Sequence, residues 1–93
     1  MHKLSEEDIN LKLETLNGWE LVNGALEANL EFPNFKEAFT AITRIALEAE
    51  AMQHHPEWYN SYNQLQIRLY THEVDGLTEK DFQLAKIILD SIV

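Results

Sequence analysis

The 93-residue sequence contains no cysteine, so disulfide bonds and thiolate chemistry are excluded, which fits a reducing compartment. Basic residues are scarce: seven Lys and Arg stand against sixteen Asp and Glu, for a formal net charge of -9. This charge argues against direct binding to nucleic acid or to an anionic membrane, because both would repel it. There is no apolar run near the ~20 residues of a membrane span, and no apolar segment typical of a signal peptide. We therefore expect one cytoplasmic domain, residues 1–93.

Local signals divide the first third of the chain into a helix and a hairpin. Ser5 begins a capping box, and the helix that follows should end at Asn17 and Gly18, which tolerate a left-handed backbone. Asn23-Gly24 then lies between two apolar runs. This dipeptide is typical of a two-residue hairpin turn, because both central residues of such a turn need positive φ.

A long second helix is predicted from Phe35 to about Gln53 by apolar residues at helical spacing. Pro56 disfavours helical geometry at the residue before it, so the helix should end near His55. The expected core stripe of this helix consists of Phe35, Phe39, Ile42, Ala46 and Ala49, with Ile45 and Met52 beside it.

The last third of the chain again contains a predicted hairpin followed by a helix. Strand patterns over residues 58–62 and 65–71 predict a second hairpin, and a second capping box from Thr78 to Asp81 begins the last helix. We interpret Asp81 as a helix cap alone. The order helix, hairpin, helix, hairpin, helix indicates an α+β domain with a four-stranded antiparallel sheet and three helices packed on one face. The polar face would meet solvent or another subunit.

A cluster of histidines stands apart from these packing patterns. His54 and His55 follow Glu50 at the predicted helix end, and His72 lies beyond the second hairpin. Glu50 and His54 are four residues apart, so they should point the same way while the helix lasts. Strand alternation places His72 on the polar side unless a bulge or the strand end redirects it. Imidazoles change charge near neutral pH, so the cluster suits proton transfer or metal ligation.

The residues alone leave three interpretations open. Each histidine could be a surface group or a hydrogen-bonded core group without function. A metal site would use three imidazoles, or two with Glu50, and a water molecule. Acid–base catalysis would use histidines as proton donor and acceptor, with Glu50 orienting one of them. The absence of a His-x-x-x-His spacing, and the angle of about 100° between adjacent helical side chains, favour acid–base catalysis.

At these positions the chain resembles the pterin-4a-carbinolamine dehydratase family, and the similarity extends over nearly the whole sequence. The motif residues are Glu50-x-x-x-His54-His55-Pro56-Glu57-Trp58, Asn60, Tyr62-Asn63, Thr71-His72-Glu73, Gly76-Leu77-Thr78, Asp81 and Ala85, with Gly18-Trp19, Phe35-x-x-Ala38-Phe39, Arg44-x-Ala46 and Glu48-Ala49 upstream.

The resemblance implies a hydro-lyase without metal or organic cofactor. It would remove water from a 4a-hydroxytetrahydropterin to give the quinonoid dihydropterin, in recycling of the tetrahydropterin cofactor. It also implies a homodimer or homotetramer. A non-catalytic protein-interaction or dimerisation module of the same fold is the alternative. In the family, the histidines matching His54 and His72 act as general acids, and the one matching His55 mainly binds substrate. The expected site is His54, His55, His72 and Glu50 as catalytic residues, with His55, Trp58 and Thr71 binding substrate.

Overall fold

The computed structural model describes residues 2–92. Met1 and Val93, the two ends of the predicted domain, lie outside the described residues. The strands form one antiparallel sheet in the order β1-β2-β4-β3, with the helices on one face, which confirms the predicted α+β architecture. No helix within residues 2–92 is both long and apolar enough to cross a membrane. The elements are α1 (Glu6–Leu13), β1 (Glu20–Val22), β2 (Ala25–Glu31), α2 (Phe35–Ala51), β3 (Glu57–Ser61), β4 (Gln64–Leu69), a 3₁₀ helix (His72–Val74) and α3 (Glu79–Ile92).

Two local signals act as the sequence predicts, but the predicted end of the first helix at Asn17 and Gly18 is wrong, because α1 already ends at Leu13. The hydroxyl of Ser5 accepts a hydrogen bond from the backbone N–H of Asp8 at 3.1 Å, so α1 begins with a side-chain cap. In the turn between β1 and β2, Asn23 has φ 50° and Gly24 has φ 82°. Two successive positive φ angles match the twist of antiparallel strands, so this turn fixes the β1–β2 register.

Strand β4 is the centre of the core, because it pairs with β2 on one side and β3 on the other. Leu65, Ile67 and Leu69 are at most 1% exposed on the helix-covered face, whereas Gln66 and Arg68 point to the polar face. Each such aliphatic side chain contributes about 1.5–3 kcal/mol by its burial. This packing fixes the C-terminal end of β4. The chain that continues from it to His72 therefore starts from a fixed position at one end of the strands.

The predicted core stripe of α2 is wrong for three of its five residues. Phe35, Phe39 and Ala46 are exposed, the phenylalanines by 47% and 54%. Successive residues on a helix are about 100° apart. The observed core stripe is shifted by about one residue around the helix from the predicted stripe. A row containing three alanines lies on the core instead and allows the helix to approach closely. The buried residues of α2 are Ala38, Ala41, Ile45 and Ala49.

Candidate active site

The C-terminal end of α2 separates the two adjacent histidines. The helix ends at Ala51, and Gln53 then takes a left-handed conformation with φ 52°. The N–H of His54 donates to the carbonyl of Ala49 at 3.1 Å. This is the Schellman arrangement, in which the chain reverses as the helix terminates. His54 consequently turns into the protein and is 7% exposed, whereas the side chain of His55 is 58% exposed.

His54 pairs with a carboxylate that the sequence presented only as a helix cap. Its Nε2 lies 2.6 Å from Oδ1 of Asp81, which is fully buried. The other carboxylate oxygen accepts from Oγ1 of Thr71 at 2.6 Å and from the N–H of Thr78 at 2.9 Å. Three donors therefore compensate the buried charge, as burial of a carboxylate requires. The cap is confirmed, but the interpretation of Asp81 as a cap alone is wrong.

The Asp81 contact decides which atom of His54 can react. An ionised carboxylate only accepts hydrogen bonds, so it favours the imidazole tautomer with the proton on Nε2. Nδ1 makes no hydrogen bond to residues 2–92, and 8% of the His54 side chain is exposed. Nδ1 is therefore the atom that can take up a proton from a ligand or return one to it.

Glu50 pairs with the other histidine of the tandem. Its Oε1 lies 2.8 Å from Nε2 of His55, on the protein surface. The expectation that Glu50 and His54 point the same way is wrong, because the reversal after Ala51 turns His54 away. The hydrogen bond from His55 is the main cause that holds the pKa of the Glu50 carboxyl below its ordinary value of 4.5, and the charge of His55 adds to it.

We expect the Glu50 carboxyl to titrate below 4.5 in wild-type protein and close to 4.5 in His55→Ala. A depressed carboxyl pKa contributes stability that is present above 4.5 and is lost as the pH falls through the lowered value. Carbon-detected NMR of the Glu50 carboxyl against pH measures this directly. His72→Ala is the control and should leave the Glu50 titration unchanged. Identical Glu50 midpoints in wild type and His55→Ala would contradict the pairing.

His72 lies just beyond the sheet. β4 ends at Leu69, and the 3₁₀ helix begins at His72, whose side chain is 72% exposed. Its ring meets the ring of Tyr70 edge-on at 5.1 Å, and its Nε2 lies 3.9 Å from Oε1 of Glu57. Glu57 pairs across the sheet with Arg68 of the polar face, so the placement of His72 on the polar side is confirmed. Sequence reasoning did not assign Tyr70 or Glu57 to the site.

Thr71 and Trp58, the other two residues expected to bind substrate, differ in solvent exposure. Thr71 is 1% exposed, and its hydroxyl bonds both Asp81 and the hydroxyl of Thr78, so we correct its role from substrate contact to support of Asp81. It also ties His72, its neighbour in sequence, to the partner of His54. Trp58 is 38% exposed on the edge strand β3 and pairs with Ile67, so it lies on the helix-covered side of the sheet.

Comparison with known proteins agrees with the fold and with the family resemblance. The family model for pterin 4 alpha carbinolamine dehydratase matches residues 2–90. The chain belongs to this family. A provisionally named pterin-4-alpha-carbinolamine dehydratase of Christiangramia forsetii is 54% identical over 99% of this chain and 95% of its own length. One from Burkholderia orbicola is 48% identical over 95% and 88%. The crystal structure of a Brucella melitensis protein titled transcriptional coactivator/pterin dehydratase superposes with TM-score 0.96 at 35% identity, covering 99% of this chain and all of that one.

Within this carbinolamine dehydratase family member, the three histidines differ in environment. His54 is buried and held by a carboxylate, His55 is exposed and paired with Glu50, and His72 is exposed between Tyr70 and Glu57. Described contacts link them through Thr71, Asp81 and chain continuity, and no described contact joins one imidazole directly to another. Residues 2–92 contain no group of three or more His, Asp or Glu arranged to hold a metal ion. The three imidazoles are therefore separate groups, each of a type that can give or accept a proton near neutral pH.

One cavity of the described chain lies away from these histidines. It measures about 500 Å³ and is lined by residues of β2, β3 and β4 around Gln64 to Gln66, toward the opposite end of β4 from His72. None of the three histidines lines it. The histidine site thus combines the buried His54 with the exposed His55 and His72.

Proposed function

We propose that the protein dehydrates a 4a-hydroxytetrahydropterin to the quinonoid dihydropterin. The observation that carries this proposal is the buried His54–Asp81 pair, in which Nδ1 of His54 makes no hydrogen bond to residues 2–92. A carboxylate that fixes one imidazole nitrogen and leaves the other free is the arrangement that general acid–base catalysis requires. Membership of the carbinolamine dehydratase family supports the substrate class.

The reaction needs only proton transfers. The C4a–oxygen bond breaks as a proton is placed on the departing hydroxyl, and the neighbouring ring nitrogen loses its proton, so one water molecule leaves. The nitrogen lone pair drives the expulsion. Imidazole, with an ordinary pKa of about 6.5, can give or accept a proton at neutral pH, and each such transfer typically contributes ~10²–10⁴-fold in rate.

We assign one role to each polar group of the site. His54, oriented by Asp81, and His72 act as general acids on the departing hydroxyl: one of them transfers the single proton that leaves in the water molecule, and the other donates a hydrogen bond to the same oxygen. His55, held by Glu50, binds the pterin and accepts the proton from nitrogen. The substrate would then lie across the end of the sheet, with Trp58 as one wall. The exposure of the His55 and His72 side chains, 58% and 72%, supports this placement. We also propose a cytoplasmic homodimer or homotetramer.

The test follows ultraviolet absorbance after the carbinolamine substrate is added to wild-type protein. We expect dehydration well above the uncatalysed rate, and ~10²–10⁴-fold less acceleration from His72→Ala, whose exposed side chain makes few contacts. His2→Ala is the matched control because His2, the fourth histidine, lies outside the proposed site, beside Thr78 and Lys80. A wild-type rate no faster than that of His72→Ala would refute the proposal.

A second candidate function is a protein-interaction module of the same fold. Phe35, Phe39 and Leu47 form an exposed apolar row on α2, with the two phenylalanine rings 5.7 Å apart. The Brucella melitensis structure is titled in part as a transcriptional coactivator. This function would survive His55→Ala and fail with Phe39→Glu. Dehydratase activity, by contrast, would be lost in His55→Ala. The same two variants therefore distinguish the two functions.

A further inference from the structure

Four side chains at the sheet end contact one another in a closed ring. Arg68 lies over the ring of Tyr70 with 5.7 Å from Cζ to the ring centroid, and Tyr70 meets His72 at 5.1 Å between centroids. Glu57 closes the ring, with Oε1 3.9 Å from Nε2 of His72 and 3.4 Å from Nη1 of Arg68. We propose that Tyr70, anchored by Asp75, is a positioning residue for His72. The proposal rests on the dehydratase function proposed above.

His72 is the histidine that most needs such support. Its side chain is 72% exposed, so the core does not fix its rotamer, whereas His54 is held by a buried carboxylate. An exposed ring that must adopt one orientation loses side-chain entropy, and a general acid displaced by about 1 Å can lose on the order of 10² in rate. Tyr70 contributes a ring–ring contact to His72, and Glu57 places a carboxylate 3.9 Å from its Nε2.

Tyr70 is itself held in place from a second segment. Its hydroxyl donates a hydrogen bond to Oδ1 of Asp75, in the turn that follows the 3₁₀ helix. Asp75 has a left-handed backbone with φ 52°, and its N–H donates to the carbonyl of His72 at 3.2 Å. The turn therefore joins the backbone of His72 to the anchor of the ring that contacts its side chain.

The hydrogen bond from Tyr70 to Asp75 is present at neutral pH. The hydrogen bond to Asp75 raises the pKa of the Tyr70 hydroxyl above its ordinary value of 10.0, with burial as the next cause. The phenol therefore stays protonated at neutral pH and continues to donate. The edge-on contact of the two rings is enough to favour one His72 rotamer several-fold.

Glu57 and Arg68 complete the support from the two neighbouring strands. They belong to β3 and β4 and are direct partners in the sheet register, so their backbones are fixed by strand pairing. The Glu57 carboxylate faces His72 and is also paired with the Arg68 guanidinium. The charged groups around His72 are thus Glu57 from β3, Arg68 from β4, Asp75 through Tyr70, and its sequence neighbour Glu73.

The experiment compares Tyr70→Ala, Tyr70→Phe and Asp75→Ala in the dehydration assay and by NMR. We expect Tyr70→Ala to lower kcat on the order of tenfold with KM within about twofold, because geometry is lost while binding groups remain. Tyr70→Phe keeps the ring and should lose less, and Asp75→Asn, which keeps an acceptor, should restore most of what Asp75→Ala loses. Tyr62→Ala, in the β3–β4 turn at the far end of these strands, is the control.

NMR of the His72 ring protons provides a readout that does not depend on turnover. The ring-current shift caused by Tyr70 should disappear in Tyr70→Ala and persist in Tyr70→Phe. Active wild type with an unchanged kcat in Tyr70→Ala, or with an unchanged His72 shift, would overturn the positioning role alone. Wild type without dehydratase activity would instead overturn the proposed function, so the two failures are distinguishable.

Discussion

Replacing Asp81 by alanine is expected to destabilise the protein by about 3–5 kcal/mol and to abolish most dehydratase activity. The fully buried carboxylate accepts hydrogen bonds from His54, Thr71 and Thr78. Without it, three donors lose their acceptor, two of them on the buried side chains of Thr71 and His54, and α3 loses its cap. His54 also loses the group that fixes its tautomer, so a stable fraction of the variant should still turn over slowly.

Asp81→Asn separates the two consequences. The amide has the shape of the carboxylate but only one accepting oxygen, and its NH₂ group must face one of the three donors. We expect a smaller loss of stability, about 1–3 kcal/mol, with a loss of kcat of at least ~10²-fold because a neutral amide does not stabilise a protonated imidazole. Urea unfolding monitored by tryptophan fluorescence and the absorbance assay measure the two effects.

Asp90→Ala is the control for Asp81, because Asp90 lies on the same helix but is exposed. Surface substitutions of this kind usually change stability by less than ~0.5 kcal/mol. If Asp81→Ala unfolded at the same urea concentration as Asp90→Ala, the buried hydrogen bonds described here would not stabilise the protein. If Asp81→Asn kept the wild-type kcat, Asp81 would be structural only.

Much of the fold could be predicted because its boundaries depend on local chemistry. Capping residues such as Ser5 and the Asn23-Gly24 turn act within a few residues of chain, so their effect is written in short segments. The alternation along β4 likewise needs only period two, and it correctly separated the core face from the polar face. These signals together sufficed for the α+β architecture.

The orientation of α2 could not be predicted in the same way. Its apolar residues cover more than one face, and hydrophobicity alone ranks Phe39 above Ala38 for the core. The structure reverses this order because a row of small side chains lets the helix approach the sheet and α3. The exposed phenylalanines therefore belong to a different surface, which sequence periodicity cannot distinguish from the core.

The site was predicted in part. The tandem histidines and His72 were identified as candidate residues, but their partners depend on contacts between distant segments: His54 and Asp81 are 27 residues apart in sequence. The capping box that contains Asp81 was visible, yet nothing local reveals that its carboxylate also reaches a histidine. Similarly, the pairing of Glu50 with His55 follows from the left-handed Gln53, a residue type that rarely adopts that conformation.

His54→Ala should show the largest combined effect among the three histidines. His54 is buried, so the substitution leaves a cavity and removes one of the three donors to the buried Asp81 carboxylate. We expect a loss of about 3 kcal/mol in stability together with ~10²–10⁴-fold in kcat. The corresponding His2→Ala variant, at an exposed position, should change neither quantity.

His54→Gln distinguishes proton transfer from structural support. The glutamine amide can donate to Asp81 and fill part of the space, so we expect it to recover at least half of the stability that His54→Ala loses. It cannot exchange a proton near neutral pH, so kcat should remain as low as in His54→Ala. Recovery of both stability and activity in His54→Gln would show that the ring only packs against its surroundings. Recovery of stability alone would assign the proton transfer to this imidazole, since the buried pair is then intact but lacks the titrating group.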